Sequence, residues 1–320
     1  MKLVLPVGIF LGLSITLYLV SLTTVPWVAG GTLAQIVSAI LVLPLLFWYR
    51  RRTRPGSLSP SSDNLRNVLF PILGLYLLVM AVRTPFVAFL QNPLEKTPLI
   101  YLLILTAVTV EKKPLEFYGL TSKNLKKQVS LGLFLLSIYV LAPAMAITLA
   151  FLLVYNANLL AGYSLNAFAL SIPFQVLAVG ISEEGLFRGY YQTRLSNVTS
   201  IRKAIIFQAG LFGLWHFVWH INPLDFAGMA LHVGSTFVFG LLTGTYFRYI
   251  GSIAGLALFH GLSNSLADGL NVDPSQLPFS VDLLSMVFGA TIIVASILLI
   301  VLARRVTKVF RFETAQRFVT

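Results

Sequence analysis

Residues 283–303 read Leu-Leu-Ser-Met-Val-Phe-Gly-Ala-Thr-Ile-Ile-Val-Ala-Ser-Ile-Leu-Leu-Ile-Val-Leu-Ala, without a charge, and Arg304-Arg305 follow at once. Within it, 291–303 is apolar on every helix face, which is not the alternating pattern of a membrane β-strand. A helix crosses the hydrocarbon layer with about 20 such residues, so this stretch reads as a transmembrane helix. The whole chain agrees with it. Its 320 residues are 57% hydrophobic and 11% charged, with mean hydropathy +0.85, too little polar surface to cover a soluble globule of that size.

Working outward, similar windows fall at 3–25, 32–49, 67–82, 98–110, 129–155, 167–182, 204–219, 226–247 and 253–266. The fold expected is all-α, a polytopic transmembrane bundle of about ten helices with both termini on one side. Charge supports that count. With the N-terminus cytoplasmic, 21 of the 23 Lys and Arg residues fall in cytoplasmic segments, leaving only Arg83 and Lys96 outside. Such a bias is the positive-inside signature. It explains the net charge of +12 as a topology signal, so no nucleic-acid partner is expected. The chain is expected to be multi-pass in the plasma membrane, with N- and C-termini cytoplasmic and the lipid bilayer as its surroundings. The first segment is longer than a typical signal-peptide core. Residues 50–64, with Arg50-Arg51-Arg52, two prolines and several serines, form a polar linker. The organisation expected is therefore an N-terminal helix pair and basic linker at 1–64, a membrane core at 65–303 and a basic tail at 304–320. With no cysteine in the chain, thiolate chemistry and zinc-thiolate sites are excluded.

The polar residues inside the apolar segments carry the functional signal, because ionisable groups in a bilayer are costly and mark sites. Glu183 and Glu184 stand side by side at the end of the sixth segment, in a chain with only 11 acidic residues. Glu184 and Arg188 are four apart, in the order that favours an intrahelical pair. Glu183 points about 100 degrees away, which leaves it for another task. The next segment carries Phe212 and His216, then His220 at the interface. The ninth stacks His260 and Asn264 on one face, among Gly255, Ala257 and Gly261, small enough for another helix to come close. A carboxylate beside an imidazole can hold a water and take its proton. A second imidazole and a carboxamide can stabilise an oxyanion. His232 reads as a hydrogen-bonded packing residue or else as a group supporting the site or facing substrate, Arg83 as an outer-interface snorkelling residue, and Tyr190, Tyr191 and the tryptophans mostly as interface anchors.

The motifs Glu-Glu-x-x-x-Arg, Phe-x-x-x-His and His-x-x-x-Asn, each on its own apolar helix, resemble those of the CPBP intramembrane proteases, the CAAX-protease or Abi family. The resemblance covers roughly 120–303. It implies an eight-helix core preceded by two N-terminal helices, and a glutamate-dependent endopeptidase with its site open to the cytoplasm. It also implies roles: Glu183 and His216 activate water, His260 and Asn264 form the oxyanion hole, and Glu184, Arg188 and Phe212 support them. No metal or other cofactor is implied. The substrate would be a peptide or protein, lipid-modified or membrane-embedded. Two other readings use the same residues. One is a non-proteolytic scaffold, immunity protein or transporter. The other is a metal-dependent membrane hydrolase built on His216 and His220, which lacks the glutamate of a His-Glu-x-x-His helix.

Overall fold

The computed structural model describes residues 64–312 except 92, 94, 108–110, 157–158, 161 and 271–280, together with scattered positions between 5 and 44. Apart from those positions, the expected N-terminal helix pair and linker, and the tail beyond 312, lie outside the described residues.

From residue 65 onward the described residues form a bundle of eight helices: α1 Leu65–Leu90, α2 Lys96–Leu105, α3 Leu125–Tyr155, α4 Leu165–Ser196, α5 Ile201–Leu214, α6 Phe226–Ile250, α7 Ala254–Asp268 and α8 Val281–Val309. Short 3₁₀ turns occupy Leu115–Tyr118 and Phe217–His220. Among the described residues there is no strand, and the all-α bundle expected from sequence is the fold. α1, α3, α4 and α6, and α8 over Met286–Val309, are long and apolar enough to cross a membrane.

α2, α5 and α7 have 10, 14 and 15 residues. At 1.5 Å per residue α5 and α7 reach only about 21–22 Å, so these two do not cross unaided as the sequence reading had them, whereas the helical run of α2 continues through 106–107 to the edge of the described residues. Hydropathy cannot tell a crossing helix from a short one wrapped by neighbours.

α4 is longer than the sequence reading made it. Glu183 and Glu184 lie well inside it, both buried, rather than at its end. Arg188, counted among the cytoplasmic charges from sequence, is fully buried too. Two π-helical stretches, Phe174–Gly180 and Gly185–Gln192, flank the acidic pair. Such widened turns recur at functional sites.

α7 is the hub of the packing, and its small residues explain why. Gly255 meets the backbone of Gln128 and Gly132 on α3, Ala257 meets Gly180 on α4, and Gly261 meets the backbone of Gln175 and Val176. A side chain at Gly261 would collide with main chain that cannot move aside. These contacts seat His260 and Asn264 directly against α4.

Candidate active site

Glu184 binds inward. Its Oε2 is 3.2 Å from Arg188 Nε, one turn along α4, and its Oε1 is 2.9 Å from His260 Nδ1 on α7. The Arg188 guanidinium lies over the Phe212 ring at 4.2 Å. Phe212 in turn sits edge-on to His216 at 4.8 Å and to His260 at 5.9 Å. One aromatic ring thus spaces the arginine and both imidazoles. The intrahelical pair expected from the four-residue spacing is present, with His260 as a further partner of the same carboxylate.

Glu183 faces the other way. Its Oε1 accepts hydrogen bonds from Lys96 Nζ and from Trp215 Nε1, the latter at 2.9 Å. Its Oε2 has no hydrogen-bond partner among the described residues and lies 3.6 Å from His260 Nε2. The two oxygens therefore differ: one is held and one is available.

Lys96 is a residue the sequence reading missed as a site component. It bridges Glu183 and Glu95, and Glu95 also pairs with Arg83. Arg83 is 1% exposed, so it is not a snorkelling interface residue. It donates to the carbonyl of Trp215 at 3.3 Å, and its guanidinium lies 4.6 Å from the Trp215 ring. Burial works against ionisation of Glu95, yet Lys96 and Arg83 outweigh it and hold its carboxyl below the usual carboxylate range. Glu95, Glu183 and Glu184 are thereby matched by Arg83, Lys96 and Arg188 in one buried array, which is how buried charges are tolerated. The signal available in sequence was that Arg83 and Lys96 alone broke the charge asymmetry.

His216 caps the end of α5, its Nδ1 2.8 Å from the Phe212 carbonyl. No hydrogen bond joins it to Glu183. His232 on α6 is 5.0 Å from the His216 ring, and its Nδ1 is 3.1 Å from His220 Nε2. His220 is itself 3.5 Å from Asp225. His232, read from sequence as a packing residue, is half-buried and lines the cavity. Asn264 donates from Nδ2 to Gln175 Oε1 at 3.1 Å, leaving its second N–H for another acceptor. Trp215, Tyr190 and Tyr191 are buried rather than interfacial.

Glu183, Phe212, His216, His260 and Asn264 line one cavity of about 1440 Å³, shared with Lys96 and His232. Glu184 and Arg188 are not among the lining residues and stand behind the wall. Among the described residues no three His, Asp or Glu side chains converge as a metal site.

Residues 165–266 match the family model described as type II CAAX prenyl endopeptidase Rce1-like. The Rce1-like segment holds all seven motif residues from Glu183 to Asn264, as the resemblance to CAAX-type proteases led one to expect. It leaves α1, α2 and the cluster Arg83, Glu95 and Lys96 outside the match. Neither curated proteins nor solved structures give a match. The Rce1-like match and the five long apolar helices together support an integral membrane protein.

Proposed function

We propose that the chain is an intramembrane endopeptidase in which Glu183 and His216 activate a water molecule and His260 and Asn264 stabilise the oxyanion. The observation that carries this reading is the convergence of these four side chains, from three helices, on one cavity. Glu183 Oε2 is the proton acceptor, because Oε1 is occupied by Lys96 and Trp215. The water oxygen bonds to the scissile carbonyl carbon, and its proton passes to Oε2. The carbonyl oxygen becomes an oxyanion within reach of His260 and the Asn264 amide. As the tetrahedral centre collapses, the C–N bond breaks and the proton moves from Glu183 to the departing amine. Donation from His260 Nε2 is oriented by Glu184, whose Oε1 lies 2.9 Å from the other ring nitrogen, Nδ1. Glu184, Arg188 and Phe212 hold that imidazole in place. Low-dielectric surroundings strengthen each of these interactions. The cavity exceeds the usual small-molecule range of about 300–1,000 Å³ and suits a polypeptide segment, with or without an attached lipid.

The test compares the termini of membrane proteins, by mass spectrometry, between cells carrying the wild type and cells carrying Glu183→Gln at equal membrane levels. New termini are expected only with the wild type. Identical sets of termini from the two would refute the reading. Activity of the purified protein surviving exhaustive chelation, with the Glu183→Gln protein inactive, would set aside the metal-hydrolase alternative.

A further inference from the structure

The cavity is one-sided. Its wall uses only the C-terminal parts of the odd-numbered helices: α1 at Arg83, α3 from Tyr139 to Thr148, α5 at Phe212 and α7 from His260 onward. From the even-numbered helices it uses only the N-terminal parts: α2 at Lys96, α4 up to Glu183, α6 up to Phe239 and α8 up to Ile292. In an alternating bundle these are all the same end. Residues beside or within the inter-helix connections at that end, Gln91, Pro93, Leu160 and Trp219, complete the wall.

Below Glu183, toward the other end, the bundle is solid. Phe187, Tyr191, Tyr246, Phe247 and Leu256 are all 0% exposed and fill it. That end is also tied together. Glu111 bonds Tyr190 at 2.9 Å and Arg194 at 3.0 Å, Ser252 bonds Gln128 at 2.6 Å, and the Ile253 amide donates to the Gly119 carbonyl at 3.0 Å. Among the described residues, a peptide arriving there meets packed and cross-linked side chains.

The closed end is the basic one. It carries Arg66, Lys112, Lys123, Lys203, Arg248 and Arg304, among others, while the open end carries Asp225 and Asp268. Short basic connections mark the cytoplasmic side of a membrane protein. The resemblance implies a site open to the cytoplasm, and the charges imply that the basic end faces the cytoplasm. With the cavity placed as it is, the two cannot both hold. The charge distribution is a property of this chain itself.

We infer that the cavity opens to the non-cytoplasmic face and takes its substrate there, as an apolar segment of an exported or membrane-anchored polypeptide. The substrate half of the inference rests on the endopeptidase reading; the side of opening does not. The rim fixes the chemistry. Met145, Leu160, Leu165, Leu170 and Leu270 line the cavity and are each about half exposed or more, giving an apolar margin continuous with lipid-facing surface. Among the described lining residues the two cations, Arg83 and Lys96, are buried and already paired, and the exposed charge is the carboxylate of Asp268, so nothing there recruits an acidic partner.

The absence of cysteine makes the test direct. Gln91→Cys and Ser263→Cys place single thiols at the mouth and on the wall, and Ser122→Cys places one on the exposed basic end. Each is treated with a small membrane-impermeant thiol reagent in right-side-out spheroplasts and in inside-out vesicles. The two cavity thiols are expected to react at least ten times faster in spheroplasts, and Ser122→Cys at least ten times faster in inside-out vesicles. Cavity thiols that react from the same side as Ser122→Cys would overturn the inference. So would thiols silent from both sides yet reactive after denaturation, since the cavity would then be sealed. Adding Glu183→Gln is expected to leave the labelling pattern unchanged, so this result stands or falls apart from catalysis. The substrate half is read from the wild-type-specific termini, which are expected on exported chains or non-cytoplasmic segments. Termini confined to cytoplasmic segments would overturn that half.

Discussion

At the scale of single residues, two neighbouring glutamates have different partners because consecutive positions on a helix point about 100 degrees apart. Glu184 meets Arg188 and His260, while Glu183 meets Lys96 and Trp215. Half of this was legible in sequence. The spacing of Glu184 and Arg188 announces their pairing, because both lie on one helix face. Lys96 could not be read, because it reaches Glu183 across 87 positions and nothing local specifies that contact. Removing one member of a buried ion pair costs about 3–5 kcal/mol, because the other charge is left uncompensated. Lys96→Met is therefore expected to lower the thermal midpoint in detergent clearly and to reduce cleavage at least tenfold. The double variant Lys96→Met/Glu183→Gln is expected to regain much of the lost stability while staying inactive, since neither side chain then carries a charge. A double variant no more stable than Lys96→Met would show that the pair is not coupled as described.

At the scale of helices, the fit of α7 against α3 and α4 depends on residues that leave space empty. Gly255, Ala257 and Gly261 were readable as a surface for close approach, and the structure gives them that contact. What sequence could not supply was where α5 and α7 stop, because a buried short helix and a crossing helix have the same composition. The π-helical turns of α4 on either side of the glutamates were likewise invisible, since they arise from packing and no residue pattern marks them. Overpacking against rigid neighbours costs about 1–3 kcal/mol. Gly261→Ala is expected to lie at the upper end of that range and to abolish cleavage, because the displaced α7 carries His260 and Asn264 away from α4. Gly74→Ala on α1, where a Cβ meets nothing within 4 Å, serves as the comparison and is expected to leave stability and cleavage near the wild-type level. Equal effects of the two substitutions in thermal melts and cleavage assays would contradict the packing argument.

At the scale of the molecule, the apolar exterior has a physical reason only if lipid covers it. Leu77, Leu153, Val294, Val301 and Val309 are each 65–77% exposed, and patches of this kind on a soluble monomer would drive association. The reading predicts that the cost of a charge there depends on depth along the bundle. Val294 lies near the middle of α8, and Val309 lies at its basic end beside Lys308. An arginine near the bilayer centre costs about 2.5–3.5 kcal/mol on insertion scales, and the cost falls where the side chain can reach the interface. Val294→Arg is therefore expected to reduce membrane-integrated protein severalfold and Val309→Arg to leave it unchanged, measured as the carbonate-resistant membrane fraction at equal synthesis. In water the two would behave alike, because exposed surface substitutions usually change stability by no more than about 0.5 kcal/mol. Matching integration of the two variants would mean that α8 does not run through the bilayer in the orientation its charges indicate.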